Sequence, residues 1–236
     1  SASVNVFSHG LLSTNLKALA ELKQTLPPFY LCSTIRYRIS SVIRTPINPG
    51  CFTMNVKIKR EAWIHEAFSA LADGGVDSIK IEVLAKRLKV TKGGFYWHFK
   101  TRNDLLEVML EHWQNGRIQA IHQQVESGKS ASATLQDLLA LYTDHTNPRG
   151  KAIELAVRDW GRNSDQSAAA VRSVDNERLA AVAGLFSRLG LSEAQAFSRA
   201  YLFYSYVFGQ SLLNYSGEAF DEAAIKKRCC DLLIPE

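Results

Sequence analysis

Residues 78–106 read SIKIEVLAKRLKVTKGGFYWHFKTRNDLL. Ile81, Leu84, Ala85 and Leu88 recur at i, i+3, i+4 and i+7, which predicts a short helix with one apolar face. Lys86, Arg87 and Lys89 fall off that face. Val90 anchors a turn, and Thr91 is suited to cap a second helix over about Lys92–Phe99. Gly93 and Gly94 weaken that helix, but glycine lets a backbone approach a base pair or phosphate closely. Phe95 and Phe99, four apart, are expected in the core of a three-helix unit. Tyr96 and His98 carry polar tips suited to phosphate oxygens. Lys100 follows, and Thr101-Arg102-Asn103-Asp104 forms a capping-box pattern with Asp in place of Glu. A helix pair of this kind can lay its second member into a DNA major groove.

The pattern Leu84-Ala85, Leu88, Val90-Thr91-Lys92-Gly93-Gly94-Phe95-Tyr96-Trp97-His98-Phe99-Lys100, Arg102 and Leu105-Leu106 resembles the DNA-binding domain of TetR-type repressors. The resemblance spans roughly Val56 to Leu106, and the Phe-Tyr-Trp-His-Phe-Lys run is its most specific part. A weaker resemblance to the family's ligand-binding half covers Ile153–Trp160 and Val174–Arg178. The sequence departs from the family at two places. Lys89 occupies a turn position that is usually glycine, which implies a left-handed residue held at a cost. Lys80 stands where Ser or Thr usually caps the first of the two helices, and Ser78 is the nearest substitute.

Charge follows the same division. The chain of 236 residues carries a net +5. Residues 54–102 hold ten Lys or Arg against five Asp or Glu, and residues 103–236 hold thirteen against seventeen. A basic reader on a mildly acidic body is the asymmetry that DNA binding needs. Residues 1–53, with Pro27, Pro28, Pro46 and Pro49, lack sustained periodicity. Leu16–Leu26 is their only candidate helix, and Met54 reads as a natural start with a non-native or disordered extension before it. A basic arm reaching DNA is the alternative.

The expected fold is all-α. Three domains are expected: the 1–53 extension, a helix-turn-helix unit over 54–102, and a helical body over 103–236. Within the reader, 56–73 forms the first helix, closed at Asp73-Gly74-Gly75 by a glycine suited to a left-handed C-terminal residue. Body helices are expected over 103–125, 131–145, 151–162, 166–189, 192–214 and 218–233, with Ser192 as a cap. No apolar run reaches the length of a membrane span. Cys32, Cys51, Cys229 and Cys230 show no metal spacing, so the thiols read as reduced and the location as cytoplasmic.

The residues expected at operator DNA are Thr91, Lys92, Gly93, Gly94, Tyr96, Trp97, His98 and Lys100. Lys92, Gly94 and Trp97 are assigned to the groove, and Thr91, Tyr96, His98 and Lys100 to phosphates. The resemblance implies an effector pocket, for which Trp113, Leu138, Tyr142, Trp160, Phe186 and Tyr201 are candidate walls and His145, Arg158 and Asp159 candidate polar groups. For each of these, plain core packing is the competing reading. Residues 192–214 are apolar nearly all round, so that helix needs burial on more than one side. Phe203, Tyr206 and Leu213, with Ile225, Cys229 and Leu232 of the last helix, are expected at a homodimer interface, an arrangement the resemblance also implies. The six histidines are scattered, and no nucleophile, paired carboxylates or phosphate loop is evident, so neither catalysis, cofactor nor metal is expected. The function expected is a ligand-released repressor. The alternatives are an activator of the same architecture or a helical interaction module that no longer binds DNA.

Overall fold

The computed structural model describes residues 58–143, 147–213 and 221–234. The readings made on residues 1–53, on Met54 and on His145 lie outside the described residues. Among the described residues there are eight α-helices and no strand. The reader contains α1 (Arg60–Gly74) and α2 (Ile81–Leu88), followed by a 3₁₀ helix at Lys92–Trp97. The body contains α3 (Arg102–Val125), α4 (Ala131–Thr143), α5 (Pro148–Trp160), α6 (Asp165–Arg188), α7 (Glu193–Leu212) and α8 (Glu222–Leu233).

Local chemistry explains most of these boundaries. Gly75 closes α1 at φ 70°, and its N–H donates to the Leu71 carbonyl. The Thr101 hydroxyl accepts from the Asp104 N–H while the Asp104 carboxylate accepts from the Thr101 N–H, the complete capping box at the head of α3. Hydrogen bonding from Thr101, together with the Lys100 and Thr101 amides, holds the Asp104 carboxyl below its ordinary range. Ser192 and Gln195 form a second capping box on α7. Asn147-Pro148, left between the helices expected over 131–145 and 151–162, instead starts α5. The Asn147 side chain accepts from the Gly150 N–H, and Pro148 supplies the preset φ of a first helical residue.

Lys89 is left-handed at φ 58°, ψ 40°. A side chain there crowds the following carbonyl. Lys89→Gly is therefore expected to raise stability by about 0.5–1 kcal/mol, the relief of strain exceeding the entropy glycine adds to the unfolded chain. Urea unfolding of the two proteins measures it, and equal midpoints would mean the turn is unstrained. Ser78 does not cap α2. Its hydroxyl donates to the Ala70 and Gly75 carbonyls, which ties the connecting turn to the end of α1.

Two apolar cores stack along the molecule. The first joins Trp63, Ile64 and Leu71 of α1 with Leu84, Phe95 and Phe99, then continues through Leu105, Met109 and Trp113 of α3 to Val157 and Val174. The reader is thus packed onto the body through one continuous core. The second joins Leu135, Leu138 and Leu139 of α4 with Val182, Leu185 and Phe186 of α6 and with Ala200, Phe203, Tyr204 and Val207 of α7. Between them lies a layer of charge. On α6, Val174 belongs to the first core and Val182 to the second, and Arg178 sits midway on the same face, 1% exposed.

Candidate nucleic-acid interface

The segment after Thr91 winds more tightly than the sequence suggests. It is a 3₁₀ helix of six residues, not an α-helix to Phe99. The Gly94 N–H donates to the Thr91 carbonyl at 3.0 Å, and the Thr91 side chain makes no capping bond. Phe95 fastens the segment from below. Its ring is fully buried, edge-on to Trp63 at 5.4 Å and stacked on Phe99 at 5.3 Å. The helix is short and irregular, yet it is pinned to α1 by an aromatic cluster.

What the cluster leaves outside is informative. Trp97 is 86% exposed and Tyr96 53% exposed. Thr91, Lys92, Gly93 and Lys100 are exposed, and Gly94 is half-buried. Neither glycine has a positive φ. A Cβ at Gly93 would come no closer than 3.8 Å to Thr91 Oγ1, and one at Gly94 no closer than 3.8 Å to Trp63. Both are ordinary contacts, so nothing inside the chain requires glycine at either position.

Two expected DNA-contacting side chains already have partners within the protein. His98 Nε2 lies 2.8 Å from the Ile58 carbonyl, which commits that nitrogen to holding the chain entering α1. Lys92 Nζ is bonded to Glu82 on α2. Hydrogen bonding to Lys92 holds the Glu82 carboxyl below its usual range, and the same bond raises the Lys92 ammonium. Glu82 therefore belongs to this surface, although the sequence reading passed over it. Its signal was a lone acid on the solvent side of α2 among basic neighbours. On the opposite side of α2, Arg87 bonds Asp73 at 2.9 Å and Glu66 at 3.4 Å and so braces α2 against α1. Arg102 donates to the Ile79 and Val76 carbonyls, both at 2.6 Å, tying α3 to the turn before α2.

In the body, the structure does not gather the six expected pocket residues into one wall. Trp113 and Trp160 belong to the first core, while Leu138, Tyr142 and Phe186 belong to the second. Tyr201 is 61% exposed on the outside of α7. Arg158 and Asp159 face opposite ways, Arg158 inward and Asp159 to solvent. Of the expected interface residues, Phe203 is fully buried in its own chain's core and Tyr206 is half-buried against it. Cys229 is half-buried, and Ile225, Leu213 and Leu232 are exposed. The outer face of α7 carries Phe197, Tyr201, Leu202 and Leu212, all exposed. A groove of about 470 Å³ continues that face at the start of α7, between Leu191 and Leu202.

The arrangement is that of a helix-turn-helix protein: two helices and a pinned third segment whose outer residues are free to meet a partner, carried on an all-helical body. Comparison narrows the class. Residues 64–109 match the family profile described as bacterial regulatory proteins, tetR family. The tetracycline repressor protein class C of Escherichia coli is 40% identical over 55 residues, which cover 23% of this chain and 25% of that protein. The chain therefore aligns with about a quarter of the length of that curated relative. The likeness to the tetR family thus lies in the N-terminal unit. The fold likeness runs further. A transcriptional regulator from Rhodococcus sp. Rha1 superposes with a TM-score of 0.58 at 20% identity, over 75% of this chain and 94% of that one. A putative transcriptional regulator from Streptomyces coelicolor gives 0.56 at 10%, over 75% and 98%. A transcriptional regulator from Aquifex aeolicus gives 0.54 at 16%, over 74% and 96%.

Proposed function

We propose that the protein is a sequence-specific, DNA-binding transcriptional repressor that acts as a homodimer and leaves its operator when a small molecule occupies the body. The observation that carries the DNA reading is the surface around Gly93, Gly94 and Trp97. Two glycines that the fold does not require stand beside a nearly bare tryptophan on a rigidly pinned segment. Glycine removes bulk where another backbone has to come close, and an exposed tryptophan is retained where it meets a partner. Thr91, Lys92, Tyr96 and Lys100 surround them as donors for phosphates and base edges.

The dimer is drawn on the outer face of α7, through Phe197, Tyr201, Leu202 and Leu212, with Leu232 beside it and with Phe203 left in its own core. Two readers on a two-fold axis would meet half-sites about 34–36 Å apart. The division into a reader ending at about residue 102 and an effector and dimer body after it belongs to the same reading. So does a cytoplasmic location; among the described residues no helix is long and apolar enough to cross a membrane. The test is a gel shift of the full chain on its own upstream intergenic DNA with nonspecific competitor at two salt concentrations. A saturable, competitor-resistant shift that weakens with salt supports the proposal. A folded dimer that selects no fragment from a genomic pool overturns it.

The Glu82–Lys92 pair gives this reading a quantitative consequence. A carboxylate in the phosphate-facing surface offsets one positive charge. Glu82→Gln is expected to tighten binding to any sequence and to steepen the dependence of log K on log salt by about one, whereas Lys100→Ala should flatten it by about one. A slope that moves in neither variant would remove both residues from the phosphate contacts.

A further inference from the structure

The charged layer between the two cores contains more donors than its acceptors can serve. Glu154 of α5 receives Arg178 at 2.8 and 3.1 Å, Arg158 at 3.0 and 3.1 Å, and Arg117 of α3 at 3.2 Å. Asp175 takes both terminal nitrogens of Arg158, at 2.8 and 2.5 Å, and Arg178 at 3.3 Å. Three guanidiniums thus share two carboxylates, and the layer keeps one net positive charge. Each guanidinium brings about five N–H groups and each carboxylate about four lone-pair positions, so donors outnumber acceptors roughly two to one. Arg117 also donates to the Gly150 carbonyl. Arg178 Nε, fully buried, has no hydrogen-bond partner. A buried charged donor left without an acceptor is expensive, and native proteins rarely keep one without a ligand, ion or water to meet it.

Two of the three cations converge. The guanidinium carbons of Arg158 and Arg178 lie 4.1 and 5.5 Å from the centre of one ring, Phe208 of α7. Phe208 stacks on Tyr204 at 6.2 Å, and Tyr204 meets Tyr142 edge-on at 6.2 Å. Glu154 and Asp175 each join the two like charges, but with Arg117 also on Glu154 one positive charge is left over for a further anion to balance. Arg158 is the open member of the pair, its side chain 24% exposed against 2% for Arg178. The Tyr204 and Tyr142 rings adjoin Phe208, and such rings can hold an apolar body once its acid group is neutralised.

We infer that this layer is an anion site and that the molecule it takes is a small monoanionic organic carboxylate, its acid group on Arg158 and Arg178 and its apolar part against Phe208, Tyr204 and Tyr142. The inference deepens the effector reading above by naming a chemical class, and it rests on that reading only for the consequence at DNA. The site also explains how binding would reach the reader. Glu154 and Val157 lie on α5, whose Arg149 bonds Ser69 of α1. A new acid competing for Arg158 redistributes the bonds that fix α5.

The test needs no DNA. Benzoate and its neutral isostere benzamide are titrated into the full chain at constant ionic strength, with thermal melting and calorimetry as readouts. Benzoate is expected to raise Tm and bind saturably, and benzamide to do neither. Asp175→Asn removes a competing charge but keeps a hydrogen-bonding shape, and it should tighten benzoate by about five- to tenfold; Arg158→Gln should weaken it at least about tenfold. Overturning results are equal effects of benzoate and benzamide, no saturable binding below about 10 mM, or variants that bind benzoate as the parent does. Asp175→Asn keeps the test decisive if Arg158→Gln fails to fold. A protein that binds benzoate but selects no DNA would keep the site and sink the regulator reading; one that selects DNA but ignores benzoate would do the reverse.

Discussion

Glu154→Ala is expected to cost about 3–5 kcal/mol of folding stability, because it strands three arginines around an empty centre. One carboxylate, 7% exposed, receives all three guanidiniums. Taking such a group out of water is unfavourable in itself, and burial alone would push its pKa up. The charge and hydrogen bonds of Arg178, then the charges of Arg117 and Arg158, outweigh burial and hold it at about 2. Removing Glu154 leaves Arg178 buried with only a distant share of Asp175. For a chain of this length the expected loss corresponds to roughly 10 °C or more in Tm. The sign with pH follows from the same bonds. The native carboxylate stays ionised below the ordinary range while the unfolded one takes up a proton near 4.5. Its stabilisation is therefore complete above about pH 5 and lost as pH falls toward 2. Melting curves of the parent should drop over that window, and those of Glu154→Ala should drop less. A Tm within about 2 °C of the parent would mean the layer contributes no net stability, as buried ion pairs sometimes do not.

This layer shows where sequence reading reaches its limit. Helices and caps were legible because their signals are local: Leu84, Ala85 and Leu88 on one face, Thr101 with Asp104, and Ser192 at the head of α7. The left-handed Lys89 was legible from its place in the turn. Glu154, Arg178 and Arg117 come from three helices, and only the Glu154–Arg158 and Asp175–Arg178 spacings hint at contact. One further signal existed. Arg178 interrupts the apolar face between Val174 and Val182, and a charge on a core stripe needs a partner. In α7 the aromatic residues misled. Their bulk put Tyr201 on a pocket wall and Phe203 at a subunit interface. The inner face is Ala196, Ala200, Phe203, Tyr204 and Val207, at steps of three and four. The alanines mark the close approach of α7 to its neighbours, and small residues carry little weight in a reading that follows large ones. The helix after Thr91 was legible from its residues, but its 3₁₀ winding was not.

Trp97→Ala separates binding from folding more sharply than any other single change in the reader. With 86% of its surface exposed, the indole contributes little to the core, and its loss should move Tm by no more than about 1–2 °C. If the ring lies against DNA, its removal forfeits a contact worth about 2 kcal/mol, roughly a thirtyfold loss of operator affinity at fixed salt. Gly93→Ala sharpens the contrast. At 3.8 Å from Thr91 Oγ1 the added methyl meets no obstacle in the protein, and the backbone there has no positive φ. Alanine should leave stability unchanged or raise it by up to about 1 kcal/mol, since it restricts the unfolded chain. Against a duplex the same methyl would hold the segment off the groove. The expected pair of results is two proteins about as stable as the parent that shift operator DNA only at much higher concentration, beside a Phe95→Ala protein that loses binding because its reader unfolds, at a cost of about 3–5 kcal/mol. Parent-like operator affinity in both Trp97→Ala and Gly93→Ala would move the interface away from this segment, and the exposed tryptophan would then need a different partner.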